Sequence, residues 1–203
     1  MSMLIGLTGQ TGAGKTLAGD FFKNYGFAVI DCDLVSRQVV NDGSNCIVEL
    51  VKEFSPAILN PDATLNRKEL GKIVFADKIK LKRLDEIIFP YITRRISTSI
   101  SALELGYDVI ILDAPTLFES GIDKMCDVII SVLAPEEIRL NRIISRDNIS
   151  KEEAKARSSS QLSNDFYKEK SDFAIVNDGN ISLFQKELLH ICSVVENFSK
   201  SNR

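Results

Sequence analysis

Histidine occurs once in the 203 residues, at His190, so a carboxylate is favoured wherever a general base is needed. No apolar run approaches the length of a membrane span, and no basic segment precedes the first apolar stretch. Together these lead to the expectation of a cytoplasmic protein with no membrane contact. The four cysteines, Cys32, Cys46, Cys126 and Cys192, form no C-x-x-C pair. They read as reduced, mostly buried thiols and speak against structural zinc. There is no basic excess either: 25 Lys and Arg against 28 Asp and Glu leave a net charge of −3. Nucleic acid is therefore not an expected partner. A small polyanionic substrate stays compatible, because a loop and a few arginines meet its charge locally. Internal repeats and low-complexity tracts are absent too.

What is present is an ordinary globular composition, 44% hydrophobic and 26% charged, in a length suited to one domain with an inserted lid or subdomain. The chain is organised around Gly9-Gln10-Thr11-Gly12-Ala13-Gly14-Lys15-Thr16, the pattern G-x-x-x-x-G-K-[ST] of a P-loop. Glycines there let successive N–H groups turn inward around phosphate oxygens. Lys15 reaches the outer phosphates, Thr16 offers its hydroxyl to Mg²⁺, and the N-terminus of the following helix adds partial positive charge, so that Gly9 through Leu17 are the expected ATP-binding residues of the loop. The context agrees: Met3 to Thr8 is a buried-strand run, and Thr16 to Tyr25 reads as a helix. A nucleoside triphosphate is the expected ligand.

Further along, Phe27 to Asp31 is a second strand with Asp33 just beyond it, at the sheet edge where such folds bind ligands. Strand alternation carried through Asp31-Cys32-Asp33 points both carboxylates to one face. Asp33 also suits the cap of a helix starting near Leu34; an acceptor-site role and a capping role both stand. Asn41 to Ser44 reads as a turn, Cys46 to Phe54 as a helix, and Ser55 to Thr64 as a loop. Asn66 to Phe75 and Ile79 to Phe89 read as helices, with Pro90 opening another that runs to about Leu105.

Strands follow at Asp108 to Asp113, Asp127 to Leu133 and Asp172 to Val176. Asp113 closes its apolar run as a Walker B carboxylate does, either holding Mg²⁺ directly or through water, or simply ending a buried strand. Pro135 to Ser145 reads as a helix, with Arg139, Arg142 and then Arg146. Residues 147–171 are polar, either a solvated helix pair or a lid that closes over phosphates and supplies arginine. A last helix spans Leu183 to Phe198. Five strands alternating with helices imply a three-layer α/β/α sandwich on a parallel sheet. A guanine-nucleotide switch needs N-K-x-D near the fourth strand, and that tetrapeptide is missing. A small-molecule kinase fits better.

The chain resembles the dephospho-CoA kinases over nearly its whole length. The resemblance rests on Leu7-Thr8-Gly9, Ile30-Asp31-Cys32-Asp33, Leu65-Asn66-Arg67 with Val74-Phe75, and Asp113 to Glu119. It continues through Arg142, Arg146-Asp147, Gln161 and Ser171 to Asn177. It implies transfer of the ATP γ-phosphoryl group to the ribose 3′-hydroxyl of dephospho-CoA with Mg²⁺, on a sheet of order 2-3-1-4-5. By the same resemblance Asp33, Lys15 and Arg146 are catalytic, while Arg142 and Asn177 lie near the adenine. Thr16 and Asp113 serve the metal. Arg67, Phe75, Phe89, Pro90, Leu117 and Glu119 join Asp33 in binding the acceptor, and about residues 43–105 form a helical acceptor-binding region. A monomer or weak homo-oligomer is implied. Phe89 departs from the family, which usually has His-Pro where this chain has Phe89-Pro90, and Thr116 stands where the family has leucine. A nucleotide-kinase-like enzyme acting on another nucleoside or nucleoside monophosphate is the alternative.

Overall fold

The fold, taken from a computed structural model, is described over residues 1–40 and 44–201. The turn expected at Asn41 to Gly43 lies outside the described residues. In chain order the elements begin with β1 (Met3–Gly9), α1 (Lys15–Tyr25) and β2 (Ala28–Asp31). Helices α2 (Cys32–Val39), α3 (Asn45–Phe54), α4 (Arg67–Phe75) and α5 (Lys78–Leu103) follow. Next come β3 (Val109–Asp113), β4 (Val128–Leu133), α6 (Glu136–Asp147), α7 (Lys151–Ser159), α8 (Asn164–Lys170), β5 (Phe173–Val176) and α9 (Ile181–Ser201). The chain divides into two compact units, one of Met1–Asp31 with the chain from Leu103 onward, the other of Cys32–Ala102.

The first unit holds the sheet. Its five strands run parallel in the order β2-β3-β1-β4-β5, as expected. Strands buried on both faces read as continuous apolar runs, and Val109 to Leu112 is one, each at 3% exposure or less. Ile5 pairs with Ile111, Leu7 with Ile130, and Val132 with Ile175. Those side chains share one face, where Ala18 and Phe22 of α1 and Phe184, Leu188, Ile191 and Val195 of α9 complete the core. On the other face Leu117 covers Gly6, whose missing Cβ would sit 2.7 Å from the Leu117 Cδ2. Leu117 is thus a packing residue with no exposed surface.

The second unit builds a core of its own from Val40, Cys46, Ile47, Leu50, Phe54, Ile58, Leu65, Leu70, Val74 and Ile87. Helix starts are capped as their sequences demand: Ser44 Oγ accepts from the Ile47 N–H, and Asn66 Oδ1 from Glu69 at 3.1 Å. Burial pushes the Cys46 thiol up to about 11, and in the first unit Cys126 and Cys192 up to about 12. Such thiols are protonated and unreactive near neutrality.

Three local expectations are corrected. The loop from Ser55 to Thr64 contains a 3-10 turn, Pro56–Ile58, which Pro56 pre-sets and Ser55 caps through the Ala57 N–H. Strand β2 stops at Asp31 and Cys32 already belongs to α2, so strand alternation does not relate Asp31 to Asp33. Finally, Pro90 opens no new helix; α5 runs through it without interruption. A proline inside a helix costs about 3 kcal/mol. Ile87, Ile92, Ile96 and Ile100 are buried along α5 on both sides of the proline, and each contributes about 1.5–3 kcal/mol. Packing outweighs the local penalty.

Pro90 is exposed, so its replacement opens no cavity. Pro90→Ala is expected to raise the unfolding free energy by about 1–3 kcal/mol, read from denaturant midpoints. A lower midpoint would show that the ring makes contacts worth more than the restored hydrogen bond.

Candidate phosphate-binding site

The segment between β1 and α1 forms the phosphate loop. Gly14 precedes α1 with φ of 107°, and a Cβ there would clash with the Asn177 amide nitrogen. Gly9 lies against the Val132 carbonyl in the same way. At both positions glycine is required by contact as well as by conformation.

The loop is braced from behind. Asn177, at 2% exposure just after β5, donates its Nδ2 to the Ala13 carbonyl at 2.9 Å. Arg142 on α6 donates Nη1 to the carbonyls of Gly12 and Ala13 at 3.1 and 3.2 Å, and Nη2 to Asn177 Oδ1 at 3.1 Å. In a trans peptide the N–H points opposite its carbonyl. Holding the Ala13 carbonyl from behind therefore turns the Gly14 N–H the other way. An array of such N–H groups at a helix start is an anion site. The sequence reading brought Arg142 and Asn177 to the nucleotide; in the structure their hydrogen bonds go to the loop itself.

A second clasp comes from the segment between α7 and α8. Gln10 Nε2 donates to the Leu162 carbonyl at 2.7 Å, and the Thr11 N–H donates to Gln161 Oε1 at 2.9 Å. Arg146 lies 3.5 Å from Thr11 Oγ1 and donates to both oxygens of Asp147, which also accepts from Arg157 at 2.7 Å. The hydrogen bond from Arg146 holds the Asp147 carboxyl below its usual range, and the nearby charges of Arg146 and Arg157 act in the same direction. Residues 147–171 are not uniformly solvated. Ala154, Ser158 and Tyr167 are buried, and Tyr167 packs with Phe118 and Phe166 at centroid distances of 6.0 and 6.1 Å.

Lys15 forms an ion pair with Asp113, both side chains less than a fifth exposed. Asp113 ends β3 in register with Leu7 on one side and Asp31 on the other. Thr16 is exposed in the first turn of α1. Hydroxyl and carboxylate oxygens suit Mg²⁺, which favours one or two protein oxygens plus phosphates and water. Among the described residues no group of three acidic, His or Cys side chains forms a complete cage. The donor set fits a cation carried in by a nucleotide.

Burial, then the nearby Glu119 carboxylate, pushes Tyr167 up to about 12, while a hydrogen bond with Thr8 and the Arg139 charge pull it down. Arg139 itself is buried, with Nε and Nη1 lacking partners among the described residues, and burial lowers its pKa. The sequence names Arg139 and Gln161 but shows neither the burial of the first nor the partner of the second; the Gln161 contact with Thr11 joins positions 150 apart and leaves no local pattern.

The second unit holds most of the acceptor-side residues. Asp33 lies within the first turn of α2, exposed, where a carboxylate favours the helix dipole; it is not the residue flanking the helix. Arg67 is exposed and donates Nη2 to the Arg37 carbonyl at 3.3 Å. Phe75 is 80% exposed, Phe89 half-buried and Pro90 exposed. Glu119, in the first unit, is exposed.

Comparison with known proteins adds the following. The family model for dephospho-CoA kinase matches residues 3–182. The dephospho-CoA kinase of Listeria monocytogenes serovar 1/2a is 36% identical over 202 residues, 99% of this chain and 100% of the relative. That of Fusobacterium nucleatum is 38% identical, over 95% of this chain and 98% of the relative. Among solved structures, the dephospho-CoA kinase from Campylobacter jejuni superposes with a TM-score of 0.71 at 28% identity, covering all of both chains. A shikimate kinase from Acinetobacter baumannii, at 15% identity and TM-score 0.51 over 95% of this chain and 94% of its own, shares the fold.

The brace generates a test. Asn177→Ala leaves the Ala13 carbonyl and Arg142 short of a partner, which costs about 1–3 kcal/mol of stability. ATP affinity, measured by calorimetry, is expected to fall tenfold or more. Unchanged affinity in a destabilised variant would mean that the brace supports the fold without setting the loop.

Proposed function

Because the chain belongs to the dephospho-CoA kinase family, we propose that it transfers the γ-phosphoryl group of ATP to the ribose 3′-hydroxyl of dephospho-CoA. The product is coenzyme A, and the step is the last in its biosynthesis. The observation that carries this reading is the family match over residues 3–182 joined to an intact phosphate loop with Lys15 beside Asp113.

The roles follow from the chemistry of phosphoryl transfer, which asks mainly for positioning and charge stabilisation. Backbone N–H groups of Gly9 to Gly14 cradle the β-phosphate, and Lys15 exchanges Asp113 for the γ-phosphate. Thr16 and Asp113 would hold Mg²⁺, which would supply neutralisation of developing charge. Asp33 aligns the acceptor 3′-hydroxyl and takes its proton as the new O–P bond forms and the bond to the β-phosphate oxygen breaks. Arg146 leaves Asp147 to meet the phosphates as residues 147–171 close as a lid. Helices α2 to α5 bind the acceptor through Arg67, Phe75, Phe89 and Pro90, and Glu119 joins them. The enzyme works in the cytoplasm as a monomer or weak homo-oligomer; among the described residues no helix is long and apolar enough to cross a membrane.

A coupled ADP-release assay comparing dephospho-CoA with AMP, CMP and adenosine tests the acceptor. Dephospho-CoA is expected to give the highest kcat/KM; a clear win for a nucleoside monophosphate would move the chain to a nucleotide-kinase-like activity. Lys15→Ala is expected to lower kcat by several orders of magnitude. Asp33→Asn should lower it roughly 10²-fold with ATP binding kept, and near wild-type turnover would remove Asp33 from the chemistry. Arg146→Ala should cut kcat more than ATP affinity, because its contact belongs to the transition state.

A further inference from the structure

Helix α6 carries arginines at positions 139, 142 and 146, steps of three and four that keep them on one stripe of the helix. Two of them spend their donors on the protein. Arg142 gives its own to the Gly12 and Ala13 carbonyls and to Asn177, and Arg146 gives its own to Asp147. Arg139 differs. It is 5% exposed, and among the described residues its Nε and Nη1 have no hydrogen-bond partner. Burial lowers its pKa, and the opposing pull comes first from Glu136, an exposed acid one turn earlier on α6. A guanidinium stays charged even so. Two contacts put that charge beside the phosphate loop. The Arg139 carbonyl oxygen lies 2.7 Å from where a Cβ on Gly12 would stand. Its charge also acts on Tyr167, which is hydrogen-bonded to Thr8, the residue before Gly9. All of these residues belong to the first unit.

We propose that Arg139 is an electrostatic residue for the nucleotide phosphates, a buried cation that acts through its field and touches no substrate atom. The proposal rests on the ATP binding given above to the loop. Burying a charge without an opposite partner is costly. That cost is offset when an arriving ligand answers the charge, and the ligand of the adjoining loop is a polyphosphate. Burial makes the arrangement effective, because a charge screened by little water and salt reaches farther than one at the surface. The loop N–H groups hold the phosphates at close range, and Arg139 adds attraction to every negative charge they carry. Its contribution therefore grows with ligand charge, from AMP through ADP to ATP. The competing role is a strut, a long side chain that packs α6 against Tyr167 and whose charge does nothing. The two roles differ in sign for stability. A strut stabilises the nucleotide-free protein, whereas an unpaired buried charge destabilises it.

The test compares wild type with Arg139→Met, which keeps a long side chain and removes the charge, and with Arg139→Lys, which keeps the charge. Affinities for ATP, ADP and AMP are measured by calorimetry, and melting temperatures are read without nucleotide. Arg139→Met is expected to weaken ATP binding about tenfold, ADP binding less and AMP binding least. Its nucleotide-free melting temperature should stay level or rise. Arg139→Lys should keep ATP affinity within about threefold of wild type. Unchanged ATP affinity in Arg139→Met, or one equal loss for all three nucleotides, overturns the proposal. A lower melting temperature in both variants with nucleotide affinities intact also overturns it and assigns the side chain to packing. If Arg139→Met does not fold, Arg139→Lys decides: ATP affinity near wild type supports the charge, and a tenfold loss overturns it. Wild-type protein that binds no ATP overturns the proposed ligand of the loop and this inference together. Wild-type ATP binding with an indifferent Arg139→Met overturns the inference alone.

Discussion

The carbonyl of Ala13 is the point on which the phosphate loop depends. Two side chains hold it, Asn177 from the end of β5 and Arg142 from α6. A glycine-rich loop has more backbone freedom to lose than any other segment, and by itself it would not keep its N–H groups converged. The brace supplies that order from the side facing away from the phosphates. It also explains why Gly14 tolerates no side chain: the space belongs to Asn177. The parallel sheet matters here because it brings the ends of β1 and β5 to one edge, with β4 between them.

The same edge collects the charges. Lys15, Asp113 and Asp31 come from α1, β3 and β2, and in-register pairing of the strands sets the two carboxylates side by side. Partial burial of the Lys15–Asp113 pair strengthens it relative to a surface pair. Lys15 therefore has an anionic partner in this structure, and under the proposed function nucleotide binding would be an exchange of anions at one ammonium.

Much of this was legible in the residues. The loop pattern, the continuous apolar strands and the helices with regular spacing each carry a local signal, and the parallel α/β architecture follows from their alternation. The strand order came by resemblance alone, since periodicity does not encode which strands are neighbours. Pro90 was misread because a local steric rule was weighed without the isoleucines on either side of it. Strand alternation was carried two residues past the end of β2, to Asp33, where a helix begins without the usual spacer. The partnership of Asn177 with Ala13, and of Gln161 with Thr11, spans 150 residues or more and had no signature to find.

That separation has a consequence for biosynthesis. Proteins are made from the N-terminus at about 5–20 residues per second. The phosphate loop leaves the ribosome well before Asn177, which follows it by more than 160 positions and orders it. Over that interval a nascent chain carries the complete P-loop pattern without the side chain that braces it. A ligand of the loop would then stabilise only chains whose sheet already includes β5.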